Sequence, residues 1–594
     1  MNKLKLALPL CLIFIIVSIA FFPSLKNGFV NWDDDRYVTE NAMIKNSSLS
    51  GIQNVFSSFH ETNYHPLSLL SYMIEYSFFH YNPFVYHLNN LLLHLCNAAL
   101  VFWIILLLTS NIPVSFLTAV IFGIHPVHVE SVAWISERRD VLYTLFFLGS
   151  LVCYLYYKRG RGMKYYLLAV ALFILSLLSK AMAVVLPLIL LLLDYFLNGS
   201  FNKKELAKKI PFLAVSGIFL VIAYLARISA GDIQVQNITV FLLDGLYNTI
   251  FSIIFYATKI ILPVKLSILY PEYETFNFLF LAAPFIMATL LVLIFLSAKY
   301  TKKIIFGSLF FLICLLPVLP LVPSRSSWGS NDRYVYVASI GLLYIVSEGF
   351  IWALRRTNTA CVHNVRFLRS VIFGISIIVI GTLAVLTWDR CKVWKDSITL
   401  WNDVLNKYPG IATAHNSRGA EYLARKEYAK AYADFVTTLS IDQSYYEAYF
   451  NLGGLYAVKG NYNEAIKLIN KTLQINPGYL KAYYLLSDIY GLTGHPLEVI
   501  NICKKVIKIK NNDVQAYTGL CSAYGNLGNF QEAILYGEKA IAIDPKSALA
   551  HMNLSVSYFY DKKYDAAIKH CNKAIALGFE VSPEFLKELK SCRK

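Results

Sequence analysis

The chain has 594 residues, 57% hydrophobic and 15% charged, with a mean hydropathy of +0.50, more apolar surface than a water-soluble protein of this size needs. The formal net charge of +17 would suit a nucleic-acid binder, but Lys and Arg concentrate in short loops between apolar runs, as the positive-inside rule describes, and this excludes that class. Ten cysteines show neither metal spacing nor a paired framework, and Cys96, Cys153 and Cys314 read as packing residues within apolar runs.

Apolar runs long enough to cross a bilayer, which takes about 20 residues, come first in the chain. The first, Leu4 to Phe22, follows Lys3 and Lys5 and has no small-residue cleavage site after it, so an uncleaved span is expected rather than a signal peptide. Eleven spans are expected in all, at 4–22, 84–108, 113–129, 139–157, 164–180, 181–198, 210–228, 277–297, 304–323, 334–354 and 367–388. Basic clusters at 158–164, 203–209, 299–303 and 355–369 mark the cytoplasmic side. Segments 23–83, 125–140, 229–276 and 324–333 then fall outside, and so does the C-terminal tail. Residues 239–262 are apolar enough to span but break this count, so an interfacial or re-entrant helix ended by Pro263 is expected there. Residues 67–80 read as a helix lying on the outer surface.

The tail opens with Trp388, Trp394 and Trp401, expected to anchor at the membrane interface, and residues 391–411 read as a linker with a partial repeat. Tyrosines then recur every 34 residues: Tyr422, Tyr456, Tyr490, Tyr524 and Tyr558. A second column, Ala431, Ala465, Val499, Ala533 and Ala567, keeps the same step, and a third holds only small residues, Gly419, Gly453, Ser487, Cys521 and Ser555. Small residues are needed where paired helices approach closely, and the period is that of the tetratricopeptide repeat (TPR). Five repeats are expected over 412–581, with a charged helix over 582–594 capping the last one.

Four polar groups fall on the expected outer side. The first loop carries Trp32-Asp33-Asp34-Asp35-Arg36-Tyr37; carboxylates this close raise at least one pKa, which suits a general base. The second reads His125-Pro126-Val127-His128-Val129-Glu130, then Ser136-Glu137-Arg138-Arg139-Asp140. His125, His128 and Glu130 could bind a divalent metal, but the three-residue step between the histidines also fits a simple turn, which is the reading favoured; no other cofactor is indicated. Arg138 and Arg139 can grip a phosphate by paired hydrogen bonds, or snorkel and pair with Asp140. Lys180 lies between two apolar runs, where an ionisable group is a functional candidate, and the last loop adds Arg325 and Arg333.

Acids and cations at a membrane surface suit attack by an acceptor hydroxyl on a sugar carried by a lipid phosphate. The phosphate is already a good leaving group, so one carboxylate takes the hydroxyl proton and cations stabilise the departing phosphate. Direct displacement at the anomeric carbon inverts its configuration.

At these residues the chain resembles the transmembrane-and-TPR O-mannosyltransferase family of the GT-C glycosyltransferase class, especially its bacterial relatives. The resemblance rests on Trp32-Asp33-Asp34, Tyr64-His65-Pro66, His87-Leu88-Asn89-Asn90 with His94, and His125-Pro126-Val127-His128-Val129-Glu130. It continues through Arg139-Asp140, Ser179-Lys180-Ala181-Met182 and Asp332-Arg333-Tyr334 with Tyr336. It implies an all-α fold, with a polytopic GT-C-like helical domain over 1–390 before the TPR solenoid. It also implies transfer of mannose or another hexose from a polyprenyl-phosphate donor to Ser/Thr of a protein. The resemblance maps the base onto Asp33 or Asp34; the residues themselves make Arg138, Arg139, Lys180, Arg325 and Arg333 the candidates for the donor phosphate, and Asp35, His65, His125, His128 and Glu130 the candidates for the lining. High Lys, Asn, Ile and Tyr usage favours a bacterial inner membrane with a periplasmic site and tail; in a eukaryote these would be lumenal in the endoplasmic reticulum. A non-enzymatic membrane-anchored TPR scaffold is the competing reading. A transporter would place its charges near the bilayer midplane and show repeated spans, which are not found.

Overall fold

A computed structural model describes residues 4–198, 203–229, 238–271, 278–320, 331–356 and 365–592. The described residues are helical, without named strands, and the chain divides into two compact units, 1–410 and 411–594.

In the first unit the helices are α1 (Leu4–Phe21), α2 (Leu49–Ser57), α3 (Pro66–Phe79), α4 (Pro83–Thr109), α5 (Ile112–Gly123), α6 (Val129–Ala133), α7 (Arg138–Lys158), α8 (Met163–Ser179) and α9 (Leu186–Asn198). They continue with α10 (Lys203–Ala207), α11 (Ile210–Ser229), α12 (Ile238–Ile261), α13 (Phe278–Ser297), α14 (Lys302–Leu315), α15 (Ser339–Arg356), α16 (Val365–Lys392) and α17 (Ser397–Lys407). Among the described residues six helices are long and apolar enough to cross a bilayer, or seven if the bent pair α5 and α6 counts as one span. Three shorter apolar helices accompany them. On α11, α13 and α16 large apolar side chains such as Leu220, Phe285 and Ile378 point outward, the pattern of a lipid-facing surface. Inside, helices meet through small residues: a Cβ added to Gly341 on α15 would lie 2.2 Å from the carbonyl oxygen of Gly307 on α14, so this crossing needs both glycines.

Several expectations are revised. The span at 113–129 stops at Gly123, because Pro126 has no N–H with which to continue the helix; His125 caps the next turn by accepting from the Val127 N–H, and α6 leaves at 50°. The helix expected over 239–262 is present as α12, Ile238–Ile261, and ends ahead of Pro263. Trp394 and Trp401 are buried rather than interfacial: Trp394 stacks on Trp134 at 5.4 Å, and Trp401 donates its indole N–H to Asn31 Oδ1 at 2.7 Å. Helix α17, in the segment read as a linker, therefore packs within the first unit. Cys153 and Cys314 are buried, whereas Cys96 is exposed on α4. Helix α3 is two-faced: Leu69, Tyr72 and Met73 are buried, and Ile74, Phe78 and Phe79 are not.

The long segment after α1 folds back on the helix ends. Tyr37, Val38, Ile44 and Val55 form one core with Leu69, Tyr72, Tyr86 and Ile135, which fixes this loop against α3, α4 and the start of α7.

The second unit stacks five helix pairs: α18 (Ala412–Ala424) with α19 (Tyr428–Ile441), α20 (Tyr446–Val458) with α21 (Tyr462–Ile475), α22 (Leu480–Leu492) with α23 (Pro496–Ile509), α24 (Val514–Asn526) with α25 (Phe530–Ile543), and α26 (Ala548–Tyr560) with α27 (Tyr564–Ala576). Helix α28 (Pro583–Ser591) buries Leu589 against Ala567 and Cys571. The small column works as its spacing requires: a Cβ on Gly453 would come within 2.9 Å of Ile469, and one on Gly419 within 2.7 Å of the Phe435 ring. Each helix pair turns through a left-handed residue, Lys426, Gly460, Gly494, Gly528 or Lys562, again 34 apart.

Candidate active site

The two leading aspartates are placed in opposite ways. Asp34 is buried and pinned: Oδ2 accepts from the Val30 N–H at 3.0 Å, and Oδ1 accepts from the Ser136 N–H at 3.0 Å and the Ser136 hydroxyl at 2.5 Å. Burial pushes its carboxyl up to about 7, outweighing the three donors that favour the ionised form. Asp33 sits in the left-handed region at φ +66°, unusual for a non-glycine residue and a form of strain that clusters at functional sites. Its side chain is 31% exposed, 4.0 Å from Arg36. Burial raises its carboxyl above the ordinary 3.8, opposed by the positive charges of Arg139, Arg36 and Arg333. Asp35 does not join them: it starts a single π turn and accepts from the neighbouring Arg36 N–H at 2.9 Å.

Three cations converge on one carboxylate, Glu137. Arg139 Nη2 donates to Oε1 at 2.6 Å, Lys180 Nζ donates to Oε2 at 3.1 Å, and Arg333 Nε lies 3.5 Å from Oε1. Lys180 also donates to Asp140 at 2.6 Å, and Arg333 to Glu130 at 2.5 Å. Arg139 Nη1 donates to the Tyr37 hydroxyl at 3.0 Å, with the guanidinium 4.6 Å above that ring. Buried charges persist only when paired, and here Glu137, Asp140 and Glu130 balance the three cations. The balance is incomplete in hydrogen bonds: Arg139 Nε is buried and has no partner among the described residues.

His65 lies beside this cluster, buried at the start of α3, its ring 5.3 Å from that of Tyr37. Burial and the Arg139 charge keep the imidazole neutral, and neither ring nitrogen has a partner among the described residues. Arg333 is aimed by its neighbour: Asp332 accepts from the Tyr270 hydroxyl at 2.7 Å, so the short turn at 332–335 sends the next side chain toward Glu130 and Glu137.

Other residues singled out from the sequence go elsewhere. Arg138 points away from the cluster, pairing with Glu75 at 2.5 Å and donating to Asn90 and the Tyr86 carbonyl, each at 2.8 Å. One position along a helix turns a side chain by about 100°, which separates it from Arg139. His125 and His128 are buried pins rather than metal ligands or lining. His125 Nε2 bonds the Ile260 carbonyl at 2.8 Å; His128 bonds the Phe122 carbonyl at 2.7 Å and the Ser339 hydroxyl at 3.0 Å. With Glu130 held by Arg333 they form no ligand set, and no group of three potential metal ligands occurs among the described residues. Arg325 lies outside the described residues. Glu137, Asp140 and Tyr37 were not singled out as site residues. The signal was present: Glu137 and Asp140 flank two arginines in one short string, and Tyr37 closes the acidic turn.

Tetratricopeptide-repeat family models match residues 446–479, 480–513 and 519–578. The chain is 24% identical over 429 residues to the Caenorhabditis elegans protein O-mannosyl-transferase F38B6.6, covering 68% of this chain and 59% of the worm protein. It is 38% identical over 100 residues to the human protein O-mannosyl-transferase TMTC2, covering 17% of this chain and 12% of that protein. Human TMTC3 matches at 27% over 155 residues, 25% of this chain and 16% of that one. The matches thus span less than two thirds of the length of these relatives. Among solved structures, a TPR protein described as YrrB with an unusual peptide-binding site is 22% identical, with a TM-score of 0.28, covering 33% of this chain and 98% of its own. The chain is a multi-pass membrane protein with a TPR tail, similar in sequence to proteins named protein O-mannosyl-transferase.

Proposed function

We propose that this protein is a membrane glycosyltransferase of the GT-C type. It moves a hexose, mannose by resemblance, from a polyprenyl-phosphate donor to Ser or Thr hydroxyls of a protein, at the outer face of the membrane. One observation carries the proposal: a strained, solvent-reached carboxylate, Asp33, lies in the field of Arg139 and Arg333, two of the three cations that, with Lys180, gather on Glu137. A membrane-anchored scaffold has no use for such a group.

Asp33 takes the proton of the acceptor hydroxyl as its oxygen attacks the anomeric carbon. The bond from that carbon to the phosphate oxygen breaks, and its electron pair leaves with the lipid phosphate. Attack from the face opposite the phosphate inverts the anomeric centre. Positive charge matters most on the leaving side, where the unpartnered Arg139 Nε is a ready donor to a phosphate oxygen. Glu137 keeps the cations in register before the donor arrives. Asp34 is a positioning residue that holds the Asp33 turn on Ser136.

The last segment of the first unit, 393–407, packs on the loop that carries Asp33 through Gly28, Asn31 and Trp32. In this reading the repeats hold the acceptor or a partner protein. In membranes given a polyprenyl-phosphate hexose and a Ser/Thr peptide, Asp33→Asn should lower transfer by about 10²–10⁴-fold at normal protein levels, the range for a general base. Unchanged transfer removes Asp33 from that role. Reporter fusions at Lys204 and at the C-terminus test the sidedness.

A further inference from the structure

The first helices of the third, fourth and fifth repeats, α22, α24 and α26, line a groove of about 980 Å³. Its polar walls are hydroxyls and amides: Thr518, Ser522 and Asn526 from α24, and Asn553 from α26. Among the described residues, Asp488 on α22 is the one charged residue lining it, and no cation lines it. Tyr484 lies one turn before Asp488 on the same helix, and Asp513 nearby is fully engaged by the Tyr484 hydroxyl at 2.6 Å, the Ala516 N–H at 2.9 Å and Lys510 at 3.1 Å. Asp488 is exposed yet has no hydrogen-bond or ion-pair partner among the described residues, and partial burial pushes its carboxyl above the ordinary 3.8. Three residues on, a Cβ at Gly491 would meet nothing within 4 Å, so the groove stays open beside the carboxylate.

An unpaired carboxylate in a groove otherwise lined by apolar and uncharged polar residues is an electrostatic selector. It gains a charge-assisted hydrogen bond from a cation and repels an anion, and no cation in the groove wall offsets the repulsion. We propose that the groove seats an extended segment of a partner protein that presents one Lys or Arg to Asp488, flanked by uncharged polar and small apolar residues. An acidic segment is rejected at the same point. This deepens the reading in which the repeat array holds the acceptor or a partner protein, and it does not depend on the transfer chemistry.

The test uses full-length protein in lipid nanodiscs, without sugar donor, and fluorescent peptides of Ser, Asn, Ala and Leu with a central Lys, norleucine or Glu. The Lys peptide should bind about tenfold more tightly than the norleucine peptide, the scale of one hydrogen bond to a charged group, and the Glu peptide more weakly than either. Asp488→Asn should bring the Lys and norleucine peptides to equal affinity. Ser522→Lys, at an exposed wall position, should reverse the order in favour of Glu. Absence of binding by all three peptides, a Glu peptide bound as well as the Lys peptide, or a Lys preference that survives Asp488→Asn each overturns the proposal. Asp33→Asn protein should show the same peptide preference as the wild type. Peptide selection without hexose transfer by the wild type would sink the transferase reading and leave the docking surface standing.

Discussion

The first unit holds two ionic clusters of similar make-up, and they are finished differently. In one, on α7, α9, α10 and the turn before α11, Asp194 accepts from the Tyr154 hydroxyl at 2.8 Å, pairs with Lys209, and lies 3.3 Å from Lys158. Lys158 and Lys208 both close on Glu205, at 2.8 and 2.7 Å. Among the described residues, no buried polar atom of this group is left without a partner. In the other, around Glu137, the charges are also paired, but an arginine nitrogen and both nitrogens of His65 are not, and the adjoining Asp33 is strained and reached by solvent. Pairing alone therefore does not distinguish a structural cluster from a working one. The sealed cluster ties helix ends together; the open one keeps donors and a carboxylate in reserve for something that is not protein.

The largest effect expected from this contrast is on folding. Removing one partner of a sealed pair strands a buried charge, which costs about 3–5 kcal/mol. Asp194→Asn, and likewise Arg138→Gln at the Glu75 pair, should lower the unfolding midpoint and the yield of folded protein while turnover per folded molecule stays near wild type. Thermal unfolding in detergent with activity normalised to folded protein checks this, and a loss of turnover at full stability would erase the contrast.

Next comes the open cluster. Arg139→Gln should reduce transfer by about 10²–10³-fold, the scale of losing one preorganised donor to a developing charge. Its fall in stability should be smaller than that of Arg138→Gln, although the two residues are adjacent. The comparison is made on kcat with saturating donor.

The smallest effect concerns pH. A base must be ionised, and burial raises the Asp33 carboxyl above 3.8, so transfer is lost as pH falls, with the acid limb displaced upward from the ordinary carboxylate range. Asp33→Asn should remove that limb from whatever activity remains. A pH–rate profile of kcat/KM for both proteins reads it, and a limb that stays in the variant belongs to another group.

The TPR array was legible because its contacts are local: Gly453 meets Ile469 within its own repeat, so a 34-residue period in sequence is a period in space. The site was legible only as a neighbourhood. Trp32-Asp33-Asp34 marked the right turn, but Ser136, 102 residues away, decides which aspartate is sealed. Arg138 and Arg139 carry the same chemistry in adjacent positions, and the helix phase at the start of α7 sends one to Glu75 and the other to Glu137. His125 and His128 were distinctive in sequence for a packing reason, since they pin the break between α5 and α6 to α12 and to Ser339. Motif strings of this kind mark both the residues that serve the cavity and those that shape it: His94 and Tyr336, from two such strings, bond each other at 2.6 Å in the core.

The most direct measurement sets Asp33→Asn beside Asp194→Asn in the same membranes, supplied with polyprenyl-phosphate hexose and a Ser/Thr peptide, with transfer counted per folded molecule. Transfer reduced by about 10³-fold in the first and unchanged in the second is the predicted result. Equal transfer by the two variants, or a loss confined to Asp194→Asn, would contradict the assignment of chemistry to the open cluster.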